Sequence, residues 1–104
     1  MSQDLKAGSR WVSAVDDTEV IVVKAAGSGG LTLECGGHPM LPAGTAKPAD
    51  VSLDSAFAGG TAIGKRFEHD SGLEVLATKA GAGTLCVGGV PLALKDAKPL
   101  PASD

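Results

Sequence analysis

Two stretches of the chain share a pair of glycines followed by one variable residue, a proline and a large apolar residue. The first is Gly36-Gly37-His38-Pro39-Met40, and the second is Gly88-Gly89-Val90-Pro91-Leu92. A short segment containing a leucine precedes each pair, at Leu33 and at Leu85. Glycine adopts positive φ angles freely, and proline cannot donate to a strand ladder. Each stretch therefore predicts the last strand and the closing turn of one structural unit.

Two further landmarks recur in the same order. Gly8-Ser9-Arg10-Trp11 matches Gly64-Lys65-Arg66-Phe67, 56 positions later, and Glu19–Lys24 matches Glu74–Lys79, 55 positions later. The glycine–proline stretch recurs after 52 positions, so the offset shrinks at the turns, where deletions are tolerated best. Three landmarks in one order indicate an internal duplication. The predicted organisation is a single domain with repeat one at 8–41, a linker at 42–63, repeat two at 64–93 and an extended tail at 94–104.

The predicted fold class is all-β. Glu19–Lys24 is rich in β-branched residues and too short for a typical helix, so it indicates a strand. Residues 25–30 form a glycine-rich turn, and residues 31–35 alternate in polarity like a half-buried return strand, which predicts a β-hairpin. An isolated hairpin is only marginally stable in water. We therefore expect two tandem hairpin repeats to pack around a pseudo-two-fold axis as an intramolecular dimer, in a small sandwich or barrel.

The core is expected to be aliphatic, because the chain has one Trp, two Phe and no Tyr. Fifteen glycines and six prolines leave little room for helix. One short helical turn is expected at 50–58, capped by Asp50 or Asp54. The expected core residues of the two repeats are Trp11, Val20, Val22, Leu31 and Leu33, facing Phe67, Val75, Leu85, Val87 and Leu92.

Charge and apolar patterning argue against two classes of partner. The formal net charge is −3 and the nine basic residues are scattered, so nucleic acid is not an expected partner. No apolar run approaches the roughly 18 residues that a membrane span needs, so no membrane partner is expected. The first six residues lack the apolar segment of a signal peptide, and two cysteines do not make a disulfide framework. The expected location is therefore cytoplasmic.

The first repeat resembles a known family. It contains Trp11-x-Ser13-x-x-Asp16-x-x-Glu19-Val20-x-Val22, a glycine-rich turn, and Leu33-x-Cys35-Gly36-Gly37-x-Pro39-Met40. This pattern is similar to desulforedoxin and the amino-terminal domain of desulfoferrodoxin, which are rubredoxin-like β-units. In that family a Cys-x-x-Cys knuckle and an adjacent Cys-Cys pair give four thiolates to one tetrahedral iron. Desulforedoxin itself pairs two such units as a homodimer.

The resemblance implies where the metal ligands of each unit would fall. In repeat one, the knuckle positions hold Ser13 and Asp16, and the adjacent pair holds Cys35 and Gly36, so one thiolate of four remains. In repeat two, the corresponding neighbourhoods hold His69, Ser71, Val87 and Gly88. Cys86 lies one residue out of register, and such a slip turns a side chain to the opposite face of a strand. The resemblance thus implies a fused pair of units in which most metal ligands are missing.

Cys35, His38 and Asp16 are the candidate metal ligands of the chain. Cys35 and His38 have a Cys-x-x-His spacing, which is half of a zinc site, and a structural site needs four ligands. The others would come from Asp16, His69 or Cys86. In the alternative interpretation, Cys35 packs as a small apolar residue at a strand end, His38 is exposed on the turn, and the protein has no cofactor.

Three other residue patterns in the chain have a functional interpretation. Cys35 with His38 as its base is the candidate for nucleophilic catalysis, but no third orienting group is evident. Residues 16–19 could hold a hard cation, although they fit a solvated turn better. The loop at 27–30 joins two strands and does not lead into a helix, so we expect a turn there and no phosphate site.

Arg10 and Arg66 occupy equivalent positions in the two repeats, next to Trp11 and Phe67. We expect each guanidinium to have a structural role, either stacked on the neighbouring ring or facing an acid such as Glu19 or Glu74.

The sequence favours a small non-enzymatic β-module that serves as an accessory or protein-interaction subunit and has a degenerate metal site. Its expected partner is another protein, recruited through exposed strand edges, and self-association into a homodimer stays open. The alternative is an iron or zinc protein with a redox or electron-transfer role at Cys35.

Overall fold

The strand predicted at 19–24 and its counterpart at 74–79 lie side by side at the centre of an antiparallel sheet. The structure, a computed structural model, describes residue 3, residues 5–27 and residues 31–95. Its strands are β1 (Arg10–Val12), β2 (Glu19–Lys24), β3 (Leu33–Cys35), β4 (His38–Pro39), β5 (Leu41–Pro42), β6 (Arg66–Glu68), β7 (Glu74–Lys79), β8 (Leu85–Val87), β9 (Val90–Pro91) and β10 (Ala93–Leu94). Within these residues the fold is all-β without an α-helix, which confirms the predicted class.

The larger sheet has six strands in the order β5-β1-β2-β7-β6-β10. At its centre, β2 and β7 are paired in register at three positions: Val20 opposite Ala77, Ile21 opposite Leu76, and Val22 opposite Val75. β-Branched side chains fit this pleated, half-buried surface well. Two-residue strands, β5 and β10, form the two edges.

The smaller sheet has four strands in the order β4-β3-β8-β9. Its central pairs are Leu33 opposite Val87, Glu34 opposite Cys86, and Cys35 opposite Leu85. Each outer strand is reached through one of the glycine pairs, where Gly36 and Gly37 have φ of +67° and +90°, and Gly88 and Gly89 have φ of +57° and +82°. Two consecutive residues with positive φ are what a type I′ hairpin turn requires. The glycine pairs are therefore the closing turns that the sequence predicted.

The predicted pairing of segment 19–24 with segment 31–35 is wrong. β2 pairs with β1 and β7, whereas β3 pairs with β4 and β8, so β2 and β3 lie in different sheets. The physical reason is burial. β2 has one apolar face and β3 has another, and the two faces cover each other only when the strands lie in opposed sheets. The hairpins that do form join β1 to β2, β3 to β4, β6 to β7 and β8 to β9.

One hydrophobic core joins the two sheets, which makes the fold a small all-β sandwich. Seven predicted core residues are buried in it: Trp11, Val20, Val22, Leu33, Val75, Leu85 and Val87. Three more pack against it while partly exposed: Leu31, Phe67 and Leu92. The core also contains four residues that were not predicted: Cys35, Met40, Leu73 and Ala77.

Several backbone hydrogen bonds recur at the offsets of the sequence landmarks. They form matched pairs: Met40 N–H to the Leu33 carbonyl with Leu92 N–H to the Leu85 carbonyl, both 2.9 Å, and Gly8 N–H to the Val22 carbonyl with Gly64 N–H to the Ala77 carbonyl, 2.7 and 2.8 Å. The tandem duplication and its division into repeats, linker and tail stay predictions.

The linker covers one glycine turn and leaves the other open. Its single helical element is a 3-10 turn at Ser55–Phe57, inside the predicted 50–58 segment, with Asp54 as its N-cap. Asp54 also donates its backbone N–H to the Gly36 carbonyl at 2.9 Å. A Cβ added to Gly37 would lie 2.6 Å from the Asp54 Cβ, whereas a Cβ added to Gly88 or Gly89 would meet no atom within 4 Å.

The side-chain amide of Gln3 bridges two residues at one end of the smaller sheet. Its Nε2 donates to the carbonyls of Leu33 (2.8 Å) and Met40 (2.9 Å), and its Oε1 accepts from the Leu33 N–H at 2.6 Å. The amide thus bridges Leu33, at the start of β3, and Met40, which follows β4 and also donates its N–H to the Leu33 carbonyl.

The predicted extended tail at 94–104 lies outside the described residues beyond Lys95. In the part of the chain that the structure describes, no helix is long and apolar enough to cross a membrane.

Candidate functional site

The loop between β1 and β2 gathers the polar side chains that the family resemblance assigned to a metal knuckle. The Ser13 N–H donates to the Thr18 carbonyl at 2.9 Å and closes the loop at its base. The Ser13 hydroxyl accepts from the backbone N–H groups of Val15 (3.1 Å) and Asp16 (3.2 Å). Serine hydroxyls commonly fix turns in this way. The loop is therefore ordered by its own hydrogen bonds, and Ser13 and Thr18 are both fully buried.

The carboxylate of Asp16 is the centre of this site. Its Oδ2 accepts from the Thr18 hydroxyl at 2.7 Å and from the Gly83 N–H at 2.5 Å. Its Oδ1 accepts from the Cys35 thiol at 3.6 Å. We call Ser13, Asp16, Thr18 and Cys35 the Asp16 cluster. Through Asp16, it joins the β1–β2 loop, the end of β3 and the segment that precedes β8.

Two glycines allow that last segment to approach the cluster. A Cβ added to Gly83 would lie 2.8 Å from the Cys35 Sγ and 2.9 Å from the Gly36 N. A Cβ added to Gly81 would collide with Thr18 and with the Asp16 carboxylate. Neither glycine has a left-handed backbone conformation, so both are needed for space. The cluster is closely packed on this side.

The hydrogen bonds at Asp16 outweigh its partial burial. Burial raises the pKa of the carboxyl group, since it penalises the charged form, but the donors on Ser13, Thr18, Gly83 and Cys35 lower it by more. The net result is an Asp16 pKa below its ordinary value of 3.8. Asp16 is therefore a carboxylate at neutral pH.

The environment of Cys35 keeps its thiol protonated. Burial, together with the neighbouring charge of Asp16, raises the pKa of Cys35 from 9.0 to about 12, although hydrogen bonds from Thr18 and Ser13 act in the opposite direction. The thiolate is the form that attacks electrophiles and binds metals. A buried, protonated thiol that donates to a carboxylate is not a ready nucleophile.

His38 does not join the cluster. Its Nε2 lies 3.0 Å from the Ser52 carbonyl, so its ring is directed to the linker while Cys35 bonds to Asp16. Of the three candidate ligands, the structure thus brings Cys35 and Asp16 together and directs His38 elsewhere.

The corresponding positions of the second half carry a different arrangement. The His69 Nδ1 lies 2.9 Å from the Ser71 hydroxyl and accepts from the Ser71 N–H at 3.1 Å. Cys86 is buried, but it lies opposite Glu34 on the other face of the sheet from Leu85 and Val87, which both face the core. Burial, and then the charge of Glu34, raise the pKa of the Cys86 thiol.

The residues present do not fit a tetrahedral iron or zinc site. Ser13 offers a hydroxyl that already accepts two backbone N–H groups, Gly36 offers no side chain, and Cys35 offers the one thiol among the four positions. Iron and zinc sites of this type use four sulfur or nitrogen donors. Among the described residues, no group of three or more His, Cys, Asp and Glu side chains lies close enough together to hold a metal ion.

The ring stacking expected for Arg10 and Arg66 is wrong. Trp11 and Phe67 face or pack against the core, and side chains alternate along a strand, so the two arginines lie on the opposite face from the rings. Of the expected acids, Glu19 pairs with Lys79 at 3.9 Å and Glu74 with Lys95 at 2.8 Å. The hydrogen bond from Lys95 lowers the pKa of Glu74 most, and the charge of Arg66 contributes, so Arg66 acts on Glu74 as expected.

Sequence reasoning did not identify Thr18 and Gly83 as partners of Asp16. The local signal was present in Asp16-x-Thr18, where a hydroxyl two residues away can bond to the carboxylate. A second signal was the pair of glycines at 81 and 83. What a single sequence does not reveal is that these two signals, 67 positions apart, meet.

Comparison of the chain with protein-family models, with curated proteins and with solved structures finds no match.

Proposed function

We propose that this protein is a small non-enzymatic β-module that acts as an accessory or protein-interaction subunit. The observation that supports it most is the closed hydrogen-bond network around Asp16. It occupies the positions where a desulforedoxin-like unit would hold its metal. In this proposal the carboxylate links the segments that a metal ion would otherwise link, and the site is structural.

The state of Cys35 supports a role without catalysis. The side chain is fully buried, and its pKa of about 12 leaves roughly one thiol in ten thousand ionised at pH 8. The predicted base, His38, bonds to Ser52 and is not directed at the thiol.

We further propose that the module is a fused pair of related units. Two kinds of observation support this: the matched backbone hydrogen bonds, and a sheet order in which β2 and β7 meet at the centre. A fused pair carries both halves of its own core. Its recruitment of a partner then depends on its outer surfaces, and we place it in the cytoplasm.

The alternative function is a metal or redox protein that uses Cys35 with iron or zinc. The contact between Cys35 and Asp16 favours it, because two of the three predicted ligands are neighbours. For this function, metal binding would have to displace the thiol proton and the hydrogen bonds of Asp16.

Metal analysis of protein purified without an affinity tag decides between the two functions. If the protein is the proposed module, we expect only background iron or zinc. Its melting temperature should be the same with and without a strong chelator. Losing a structural metal would instead unfold a domain of this size. Stoichiometric metal would establish the alternative. So would a chelator that lowers the melting temperature of the parent but not that of Cys35→Ser.

The relation to desulforedoxin-like units has its own test, which adds thiolates. The triple variant Ser13→Cys, Asp16→Cys, Gly36→Cys places four thiols where the resemblance puts the four ligands. We expect it to bind one zinc or cobalt ion per chain, with the charge-transfer absorption of a cobalt thiolate site. The matched control is Ser9→Cys, Asp17→Cys, Gly44→Cys, which adds three thiols elsewhere. Equal metal binding by the two variants would contradict the relation.

A further inference from the structure

The outer face of the six-stranded sheet carries one transverse row of four side chains. Arg10 lies opposite Ile21, Ile21 lies opposite Leu76, and Leu76 lies opposite Arg66. The neighbours of these residues along each strand, such as Val20 and Val75, face the core, so the row faces outward. We call Arg10, Ile21, Leu76 and Arg66 the arginine row. It has an apolar centre and a guanidinium at each end.

The row is open to other molecules. Arg10 and Arg66 are exposed, and Ile21 and Leu76 are partly exposed. Val23, on the same strand as Ile21, is 39% exposed and adds apolar surface. Within the described residues, neither guanidinium makes a hydrogen bond or a salt bridge, although the charge of Arg66 contributes to the lowered pKa of Glu74.

The charges around the row leave it positive. Glu19 is paired with Lys79 and Glu74 with Lys95, while Lys24 and Arg66 also lower the pKa of Glu74 by their charge. Glu68 and Asp70 lie beside Glu74. Around the row, five basic residues, Arg10, Lys24, Arg66, Lys79 and Lys95, stand against four acids, Glu19, Glu68, Asp70 and Glu74. The chain as a whole has a net charge of −3, so this face differs in sign from the rest of the molecule. Such a patch attracts acidic partners over a distance of about 10 Å at ordinary ionic strength.

We propose that the arginine row is the docking surface of this module for an acidic protein segment in which two carboxylates flank an apolar side chain. The proposal rests on the proposed interaction function and adds the surface and the chemistry of the partner. Charge complementarity selects the ends of the segment, because each exposed guanidinium can bind one carboxylate in a fork geometry. Ile21 and Leu76 select an apolar centre.

The strand spacing sets the size of the segment. Neighbouring strands lie about 4.8 Å apart, so the ends of a row that crosses four strands are about 14 Å apart. An extended segment rises about 3.3 Å per residue. Carboxylates at positions i and i+4, with an apolar side chain at i+2 on the same face, therefore match the row.

A second copy of this chain is a poor occupant. In a symmetric dimer formed through this face, the positive row of one copy would be brought towards the positive row of the other, and like charges brought together cost free energy. An anionic membrane surface is also less suitable, because the row offers two arginines where stable attachment uses several basic residues or a lipid anchor.

The test is a nuclear magnetic resonance titration of the full chain with a peptide that contains Glu-Ser-Leu-Ser-Glu between Gly-Ser flanks. We expect saturable shifts of the Ile21 and Leu76 amides that weaken as salt is added. Arg66→Glu should weaken binding about threefold or more. Lys65→Glu makes the same charge change one position away, off the row, and should change binding by less than about a factor of two.

Two further peptides and two further measurements complete the test. Lys-Ser-Leu-Ser-Lys and Glu-Ser-Ser-Ser-Glu should bind more weakly than the first peptide. Shifts elsewhere, or equal losses for Arg66→Glu and Lys65→Glu, overturn the proposal. So does a dimer, or sedimentation with phosphatidylserine vesicles, that Arg66→Glu abolishes, because the row would then serve a second copy or a membrane. The metal analysis tests the Asp16 cluster, whereas the peptide titration tests this face. A negative result in one experiment can therefore be told apart from a negative result in the other.

Discussion

Gly83 donates its backbone N–H to the carboxylate of Asp16, which lies 67 positions earlier in the chain. The bond fastens the segment before β8 to the loop after β1, so it links the two halves of the molecule directly. The same carboxylate accepts from Thr18 and Cys35. One side chain therefore satisfies three donors, and its chemistry can be tested by small substitutions.

Asp16→Asn should destabilise the fold by about 2 kcal/mol. An amide keeps one oxygen but puts an NH₂ group among donors, so at least one partly buried donor loses its acceptor. Urea unfolding measures the change. The matched control is Asp17→Asn, at an exposed neighbour, which should stay within about 0.5 kcal/mol of the parent. Equal effects of the two substitutions would show that the cluster contributes nothing specific.

The contribution of Asp16 should disappear in acid. Its pKa in the folded state lies below the ordinary value of 3.8, so the charged form is the one that stabilises the fold. The contribution is fully present above the unfolded pKa of 3.8 and is lost as the pH falls through the lower folded value. The stability difference between the parent and Asp16→Asn should stay constant from about pH 7 to pH 5 and shrink below about pH 4. A difference that grows on acidification would contradict this assignment.

Gly83→Ala should destabilise by about 1–3 kcal/mol, the usual range for overpacking. The new methyl group would lie 2.8 Å from the Cys35 Sγ and 2.9 Å from the backbone N of Gly36, and backbone cannot move aside cheaply. Gly27→Ala is the control, because its Cβ would meet only the Ser71 carbonyl at an ordinary 3.5 Å. Thermal melting compares the two. Equal melting temperatures for Gly83→Ala and Gly27→Ala would mean that the segment around Gly83 is not closely packed against Cys35.

Replacing Gln3 tests the side chain that bridges Leu33 and Met40. Gln3→Ala should cost about 1 kcal/mol and speed amide exchange at Leu33, whose N–H loses its acceptor. Gln3→Glu should be worse at neutral pH, because a carboxylate would face the carbonyls of Leu33 and Met40. Acidification should restore part of the loss by protonating the glutamate. Unchanged exchange at Leu33 in both variants would exclude the proposed role of the amide.

The strands themselves could be predicted from the sequence because their signals are local. The β-branched run at Glu19–Lys24 and its counterpart at Glu74–Lys79 became β2 and β7 with the predicted bounds. Their partners are not a local property. Residues 31–35 could lie beside β2 or across from it with the same alternation. The choice depends on which arrangement buries both apolar faces, and that includes residues from the second half.

The candidate site shows the same division. Cys35 and Asp16 stood out because of their residue types, and they are neighbours in the structure. His38 was also a candidate, but its ring bonds to the Ser52 carbonyl in the linker. Gly83 carries no functional group, so it could not be selected by chemistry. Its importance lies in the missing Cβ and the backbone N–H, which matter only once the chain is folded.

The pairing of β2 with β7, and of β3 with β8, also affects how the protein is synthesised. A ribosome adds about 5–20 residues per second, so the first half waits several seconds for the strands that complete its two sheets. During that time β2 and β3 each have one edge without a partner, and bare edges invite association between chains. The most vulnerable moment of this protein is thus before its second half has emerged, and factors that shield nascent chains should improve its yield more than later stabilisation of the folded form.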